Sequence, residues 1–455
     1  MIESKSRSVD LILKNAKIFV NKQIIEGGLA VNKGKIVGIS KDSKLPIGEM
    51  IINLRGQLII PGVIDIHAHL RDLNYSKKED FFTGTCAAAS GGITTVIDMP
   101  NTSPPTISSQ LIEQKMILAQ KKIIINTGFY AGIPDRLNDI NSCIDQGIFG
   151  FKLYLSQSLG QFDIDDPVLL QTFLQRLHEI HYPLLIHAER KIDIERILDQ
   201  KKDSKLTQEE LYLESHSEDI EKLAIEYIFR LNAEIGAVIH ICHVTTASGL
   251  ELIKKRKAEG GIISAEVTPH HLLLSKNDLK LFGTFAKMLP PLRTPYHSNA
   301  LWNGLIDETI DIIATDHAPH MLSEKECDFS LASNGIPGFE TFVPLLFTAM
   351  HNGKISLSRL IAVISENPSK FLYLSNKGKI AVGYDADLTI IDLNRQQRIN
   401  ASNFYSKAKF SPFDKREVKG IPTMTIVNGK IIMQDGDILV PKGSGTVLRS
   451  SLSQR

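Results

Sequence analysis

The stretch LIIPGVIDIHAHL, residues 58–70, begins as a nearly unbroken apolar run and ends on two histidines one residue apart. A strand buried on both faces reads this way when its tip opens onto a site. Seven later runs repeat the pattern: GITTVIDMPN, KIIINTGFYAG, GIFGFKLYL, YPLLIHAE, AVIHICHV, GIISAEVTPHH and IDIIATDHAPH. Longer amphipathic, charged stretches separate them, so the middle of the chain reads as repeated βα units. Eight such units predict a closed (β/α)8 barrel. Nearly every run starts apolar and finishes on His, Asp, Asn, Lys or Glu, and barrels of this kind carry their chemistry at the C-terminal ends of the strands.

Both ends of the chain read differently. VDLILKNAKIFV, GGLAVNKGKIVGIS and INLRGQLIIP at the start, and DADLTIIDL, TMTIVNGKIIMQDG and DILVPKG near the finish, are short strands punctuated by Gly, Asn and Asp turns. NAKIFVNKQ also resembles VNGKIIMQDG. Residues 1–57 and 376–455 are therefore expected to build one small β-sandwich domain, with the barrel, residues 58–375, inserted between them. The charged segment from Arg190 to Glu221 is expected to form surface helices.

With 43% hydrophobic and 23% charged residues over 455 positions, the composition is that of a globular protein with a sizeable core. Lys and Arg number 52 against 51 Asp and Glu, so no global field recruits nucleic acid or an anionic membrane. Cys86, Cys143, Cys242 and Cys327 are scattered and form no C-x-x-C pair, which points to a reducing, cytoplasmic setting. No apolar run suits a signal peptide or a membrane span.

His67 and His69 alternate with Ala68 and so project to one face of their strand, where two imidazoles can share a metal; a structural histidine pair is the alternative. His187 and His243 close the fifth and sixth runs, and barrel closure brings both toward the first pair. Asp316 ends the eighth run. A carboxylate there is costly unless ligated or paired, and its other reading is a helix N-cap. Lys152 looks misplaced among metal ligands, because an ammonium only donates. Carbon dioxide added to its neutral amine would give a carbamate able to bridge two metals; a cation gripping an anionic substrate is the alternative. Cys242 precedes His243 and is read as a core residue facing away, with a third metal on Cys242 and Glu266 as the lesser reading.

In this order and at strand ends, HAHLRD, MPNT, FKLYL, IHAE, HICHV, EVTPHH and ATDHAPH resemble the cyclic amidohydrolases of the amidohydrolase superfamily, and within them the dihydroorotases of the long type. The resemblance spans almost the whole chain. It implies a binuclear zinc centre with His67, His69 and Asp316 on one metal, His187 and His243 on the other, and carboxylated Lys152 bridging them. It further implies reversible cyclisation of N-carbamoyl-L-aspartate to L-dihydroorotate in pyrimidine biosynthesis, with Asp316 moving the proton. Other members open hydantoin, dihydrouracil or allantoin rings, and a non-catalytic scaffold homologue is the reading from another class.

Only dihydroorotate among these rings carries a carboxylate. Arg71, two residues beyond His69, has the planar fork that suits one, and Asn101 and His320 match the remaining carboxylate contacts of the dihydroorotases. PGFETFVPLL, residues 337–346, is expected to set backbone amides against the ring. The sequence departs from the pattern at Asp72-Leu73-Asn74, which stands for the usual Glu-Pro-Gly, and at Leu289, which stands for a substrate-touching asparagine. The implied partners are a small-molecule substrate, further copies of the chain in a homo-oligomer, and aspartate transcarbamoylase. SQSLGQFDIDD after Lys152 and the 321–336 segment are the candidate lids.

Overall fold

A computed structural model describes residues 8–454. Each of the eight runs supplies a parallel strand: Val63–Ala68, Ile93–Asp98, Asn126–Phe129 continuing into Ala131–Gly132, Phe151–Tyr154, Leu184–His187, Ile239–Ile241, Ile263–Val267 and Ile312–Ile313. Successive strands pair in that order. The ring closes where Ala68 bridges His317 and the His69 amide donates to the His317 carbonyl at 2.8 Å. The first and second strands are buried at every residue, the state that parallel strands reach when helices cover them. Ile64, Ile66, Ile97, Met99, Leu185, Ile312 and Ala314 fill the barrel interior. Helix Glu218–Leu231 buries Ile220, Ala224, Ile225, Ile228 and Leu231, a stripe of helical period facing inward.

The opening stretch is two strands, not one. Leu58–Pro61 belongs to the nine-stranded sheet built from both ends of the chain, pairing parallel with Val9–Val20 and antiparallel with Leu388–Arg398. The chain turns into the barrel at Gly62, where a Cβ would stand 2.3 Å from Thr94 Oγ1 and 3.0 Å from the Asp387 backbone. Only glycine fits that passage. The terminal sheet has its own core, including Leu13, Ile18, Leu29, Val31, Leu388, Ile390 and Ile426. The α/β barrel with a small β-sandwich drawn from both termini is thus the observed architecture. The 190–221 segment forms helices Lys191–Gln200 and Gln208–Ser215, the first with no buried residue. Among the described residues no helix is long and apolar enough to cross a membrane.

Candidate functional site

The polar strand ends meet at one rim. His67 ends the first strand, where its pairing with the second slips between Asp65 and Ala68. An irregularity of this kind re-aims side chains near a site. One oxygen of Asp316, Oδ1, lies 3.1 Å from His69 Nε2 and 3.4 Å from His67 Nε2. These three residues hold their donor atoms within 4.8 Å of one another. Across the rim, His187 Nδ1 lies 3.1 Å from His243 Nε2, and the His243 ring centroid is 5.4 Å from that of His67. Lys152 is buried, with its charge acting on both His67 and His243.

Three of the four imidazoles, His67, His187 and His69, are aimed by a partner behind them, as ligating histidines usually are. His67 Nδ1 contacts Glu266 Oε1 in a very short hydrogen bond, and the other Glu266 oxygen lies 3.2 Å from His240 Nε2. His187 Nε2 donates to Glu189 at 2.8 Å, and Glu189 also takes His216 Nδ1 at 2.9 Å. His69 Nδ1 donates to Asn101 Oδ1 at 2.6 Å. The loop after His243 is tied down by buried Glu221, which accepts from the Thr245 and Thr246 amides at 3.1 and 3.0 Å. Glu266 and Glu189 lie inside quoted motifs, but their task depends on partners that strand alternation does not reveal.

This donor set fits divalent cations. Burial alone would depress His67, yet Glu266 and Asp316 outweigh it and push the imidazole up to about 10. Burial raises the Asp316 carboxyl, and His67 and His69 overcome that to hold it well below its usual range. Burial pushes His69 down to about 3, and His243 is likewise depressed by burial and by His187, with its Nδ1 lacking a partner. The carboxylates that draw a proton onto His67 would equally attract a divalent cation, for which His67, His69, Asp316, His187 and His243 could supply ligands.

Cys242 does not face away. Its Sγ accepts from Lys152 Nζ at 2.9 Å and groups with His67 and Glu266 as a second possible ligand set. The cause lies in the backbone. His243 adopts φ +34°, outside the strand conformation, so the alternation that should separate the two side chains fails there. Arg71 and Asp316 share this property, at φ +60° and +45°, and non-glycine residues held there cluster at functional sites.

Arg71 leaves the strand before it reaches the rim, so the loop rather than strand alternation places it. Asp72 holds that loop, accepting from the Leu73 and Phe81 amides at 2.7 and 3.1 Å and from Lys122 Nζ at 2.7 Å. The unusual Asp-Leu-Asn is therefore an anchored turn. Arg71 is 8% exposed and its Nε has no partner. Among the described residues its side-chain hydrogen-bond contact is His320 Nε2 at 3.3 Å. Burial, Arg71 and Lys78 keep His320 neutral. Lys78 Nζ donates to its Nδ1 at 3.3 Å, so Nε2 carries the hydrogen and donates to the Asn334 carbonyl at 2.9 Å. Two donors thus face each other, and the guanidinium stands without an acceptor.

The 337–346 stretch does not offer its first amides to the rim. Gly338 and Phe339 donate to His317 Nδ1 at 3.1 and 3.4 Å and open helix Phe339–His351, with the Phe339 ring stacked on His317. Leu289 is half-buried. The 321–336 segment is pinned from beneath. Buried Lys325 donates to the carbonyls of Lys287, Ser333 and Gly335, and Lys287 to those of Phe329 and Ala332. The stretch after Lys152 is largely exposed.

Known proteins match the chain throughout. The amidohydrolase family matches residues 58–432. A dihydroorotase of Methanosarcina acetivorans is 35% identical over 97% of this chain and 96% of its own length. An L-hydantoinase of Paenarthrobacter aurescens is 33% identical over 96% of this chain and 97% of its own. The solved L-hydantoinase (dihydropyrimidinase) from Arthrobacter aurescens superimposes with a TM-score of 0.93 at 32% identity, covering 97% of this chain and all of that one. A likeness that runs through barrel, rim and terminal sheet alike makes this chain a member of the amidohydrolase family.

Proposed function

We propose that the protein is a dihydroorotase, a hydrolase of a cyclic amide that interconverts L-dihydroorotate and N-carbamoyl-L-aspartate in pyrimidine biosynthesis. The observation that carries this reading is Arg71, a buried guanidinium at the rim whose Nε has no partner and whose neighbour His320 offers it no acceptor. An anion on the substrate completes it, and the dihydroorotate ring has one where hydantoin and dihydrouracil do not. Curated dihydroorotases at 34–35% identity over most of the chain support the same choice.

His67, His69 and Asp316 are assigned to one zinc, His187 and His243 to the other, and Lys152, carboxylated, to both. When bound, two such ions lower the pKa of a water from about 15.7 toward 7 and polarise the amide carbonyl. Both imidazole contacts of Asp316 fall on Oδ1, so Oδ2 is the atom assigned to take the proton of the attacking water. As the carbon–nitrogen bond breaks, Asp316 passes that proton to the leaving ring nitrogen. In the cyclising direction it takes the proton back from the carbamoyl nitrogen. Arg71, His320 and the amide nitrogen of Asn101, whose oxygen is spent on His69, hold the ring carboxylate and fix which carbonyl reacts.

The composite domain of residues 1–57 and 376–455 frames the catalytic barrel of residues 58–375, with Leu58–Pro61 as the strand that joins them. A cytoplasmic site of action agrees with four free cysteines. Assembly with further copies of the chain, and with aspartate transcarbamoylase, completes the proposal and is tested by the mass of the complex recovered from its cells. The likeness to the L-hydantoinase favours hydantoin as the second substrate class. Assaying the zinc-loaded protein on dihydroorotate, hydantoin, dihydrouracil and allantoin decides: turnover is expected on dihydroorotate, and a preference for an uncharged ring would overturn the reading.

A further inference from the structure

Tyr154 stands two residues beyond Lys152 on the fourth strand, so both side chains leave the same strand face. Its ring lies 5.0 Å from Lys152 Nζ and 6.1 Å from the His187 ring. The residue is 8% exposed, and its hydroxyl is buried with no hydrogen-bond partner. A buried phenol ordinarily finds one. Arg71 Nε is likewise a buried donor without a partner, and Tyr154 is the foremost ionisable neighbour acting on that guanidinium. Both are buried donors at one rim, and one acceptor oxygen bound there could satisfy the two.

We propose that Tyr154 is a specificity-determining residue whose hydroxyl donates to the ring carboxylate of the substrate beside Arg71. The inference rests on the dihydroorotase reading above. It adds to Arg71, Asn101 and His320 a neutral donor contributed by the strand that bears Lys152, so the metal bridge and the anion clamp share one rigid element. Uncharged rings present no acceptor at this position.

The test is Tyr154→Phe, which keeps the ring and removes the donor. Zinc content, kcat and KM for L-dihydroorotate are measured with the inhibition constants of orotate, which keeps the carboxylate, and dihydrouracil, which lacks it. KM for dihydroorotate and the orotate constant are expected to rise about 10–100-fold, the range for a hydrogen bond to a charged group. Zinc content and the dihydrouracil constant stay unchanged. Equal weakening of both inhibitors, loss of zinc, a fall in kcat at constant KM, or no change at all would overturn the role given to Tyr154. A wild-type protein inactive on dihydroorotate would overturn the dihydroorotase reading and this inference together, whereas an active wild type with an indistinguishable variant overturns the inference alone.

Discussion

His187 Nδ1 and His243 Nε2 face each other across 3.1 Å. His187 spends its other nitrogen on Glu189, so Nδ1 presents a lone pair toward His243. Lys152 is the cation-bearing side chain whose charge reaches His243 as well as His67. The carbamate proposed at Lys152 would replace a repelling ammonium by two ligand oxygens.

Lys152→Ala is therefore expected to abolish turnover and to lower metal content, measured by elemental analysis of the purified protein. Short carboxylic acids added to the assay should restore part of the activity by supplying the missing oxygens. Near-normal turnover without them would refute the carbamate.

Glu266 touches two imidazoles and no candidate substrate position. Its oxygens are divided between His67 and His240, and Oε1 also accepts from the His243 amide at 3.2 Å, so its effect on a metal held by His67, His69 and Asp316 passes through the orientation of His67. Glu266→Gln should weaken binding at the His67 side by about 10–100-fold. Competition with a chromophoric chelator measures this without recourse to activity, and an unchanged affinity would show that His67 holds its own orientation.

Arg71 makes its contacts at the rim rather than with the metal ligands' supports. Arg71→Ala should lose dihydroorotate turnover by at least about 10–100-fold, as a lost charge-assisted bond implies, with both metals retained. Joint loss of zinc would mark Arg71 as structural.

The barrel and the terminal sheet were legible because strand burial leaves a local trace: apolar runs with polar ends, and turn residues between short strands. The rim was legible where side chains follow strand alternation, as with His187, and where a loop residue carries a chemistry of its own, as with Arg71. Alternation failed at Cys242, because His243 departs from strand geometry and no neighbouring residue announces a positive φ. From sequence, Glu266 stands only beside Cys242 in a lesser metal set, a pair the structure does bring together with His67. Its partner His67 lies 199 positions away, and only barrel closure brings the two together. Leu58–Pro61 closes the terminal stretch INLRGQLIIP and opens the first barrel run alike, because the apolar run continues through Gly62; its pairing partners put it in the terminal sheet.

Glu340 carries a pH dependence of its own. It accepts from the Tyr405 amide at 2.7 Å and the Ser406 amide at 3.4 Å, beside buried Glu79. Burial pushes its carboxyl up to about 8 against an ordinary 4.5, with Glu79 adding to the rise and the two amides opposing it. The folded chain therefore holds a proton here that the unfolded chain releases between those values. Stability from this group is present below about pH 4.5 and is lost as pH rises through about 8. Each tenfold change in proton affinity corresponds to about 1.4 kcal/mol. Glu340→Gln keeps an acceptor for the amides and removes the titration. Thermal unfolding of wild type and variant should give similar midpoints near pH 5 and a widening advantage for the variant up to pH 8. Parallel profiles would mean that Glu340 is ionised in the folded chain throughout, held by the 405–406 amides against its burial.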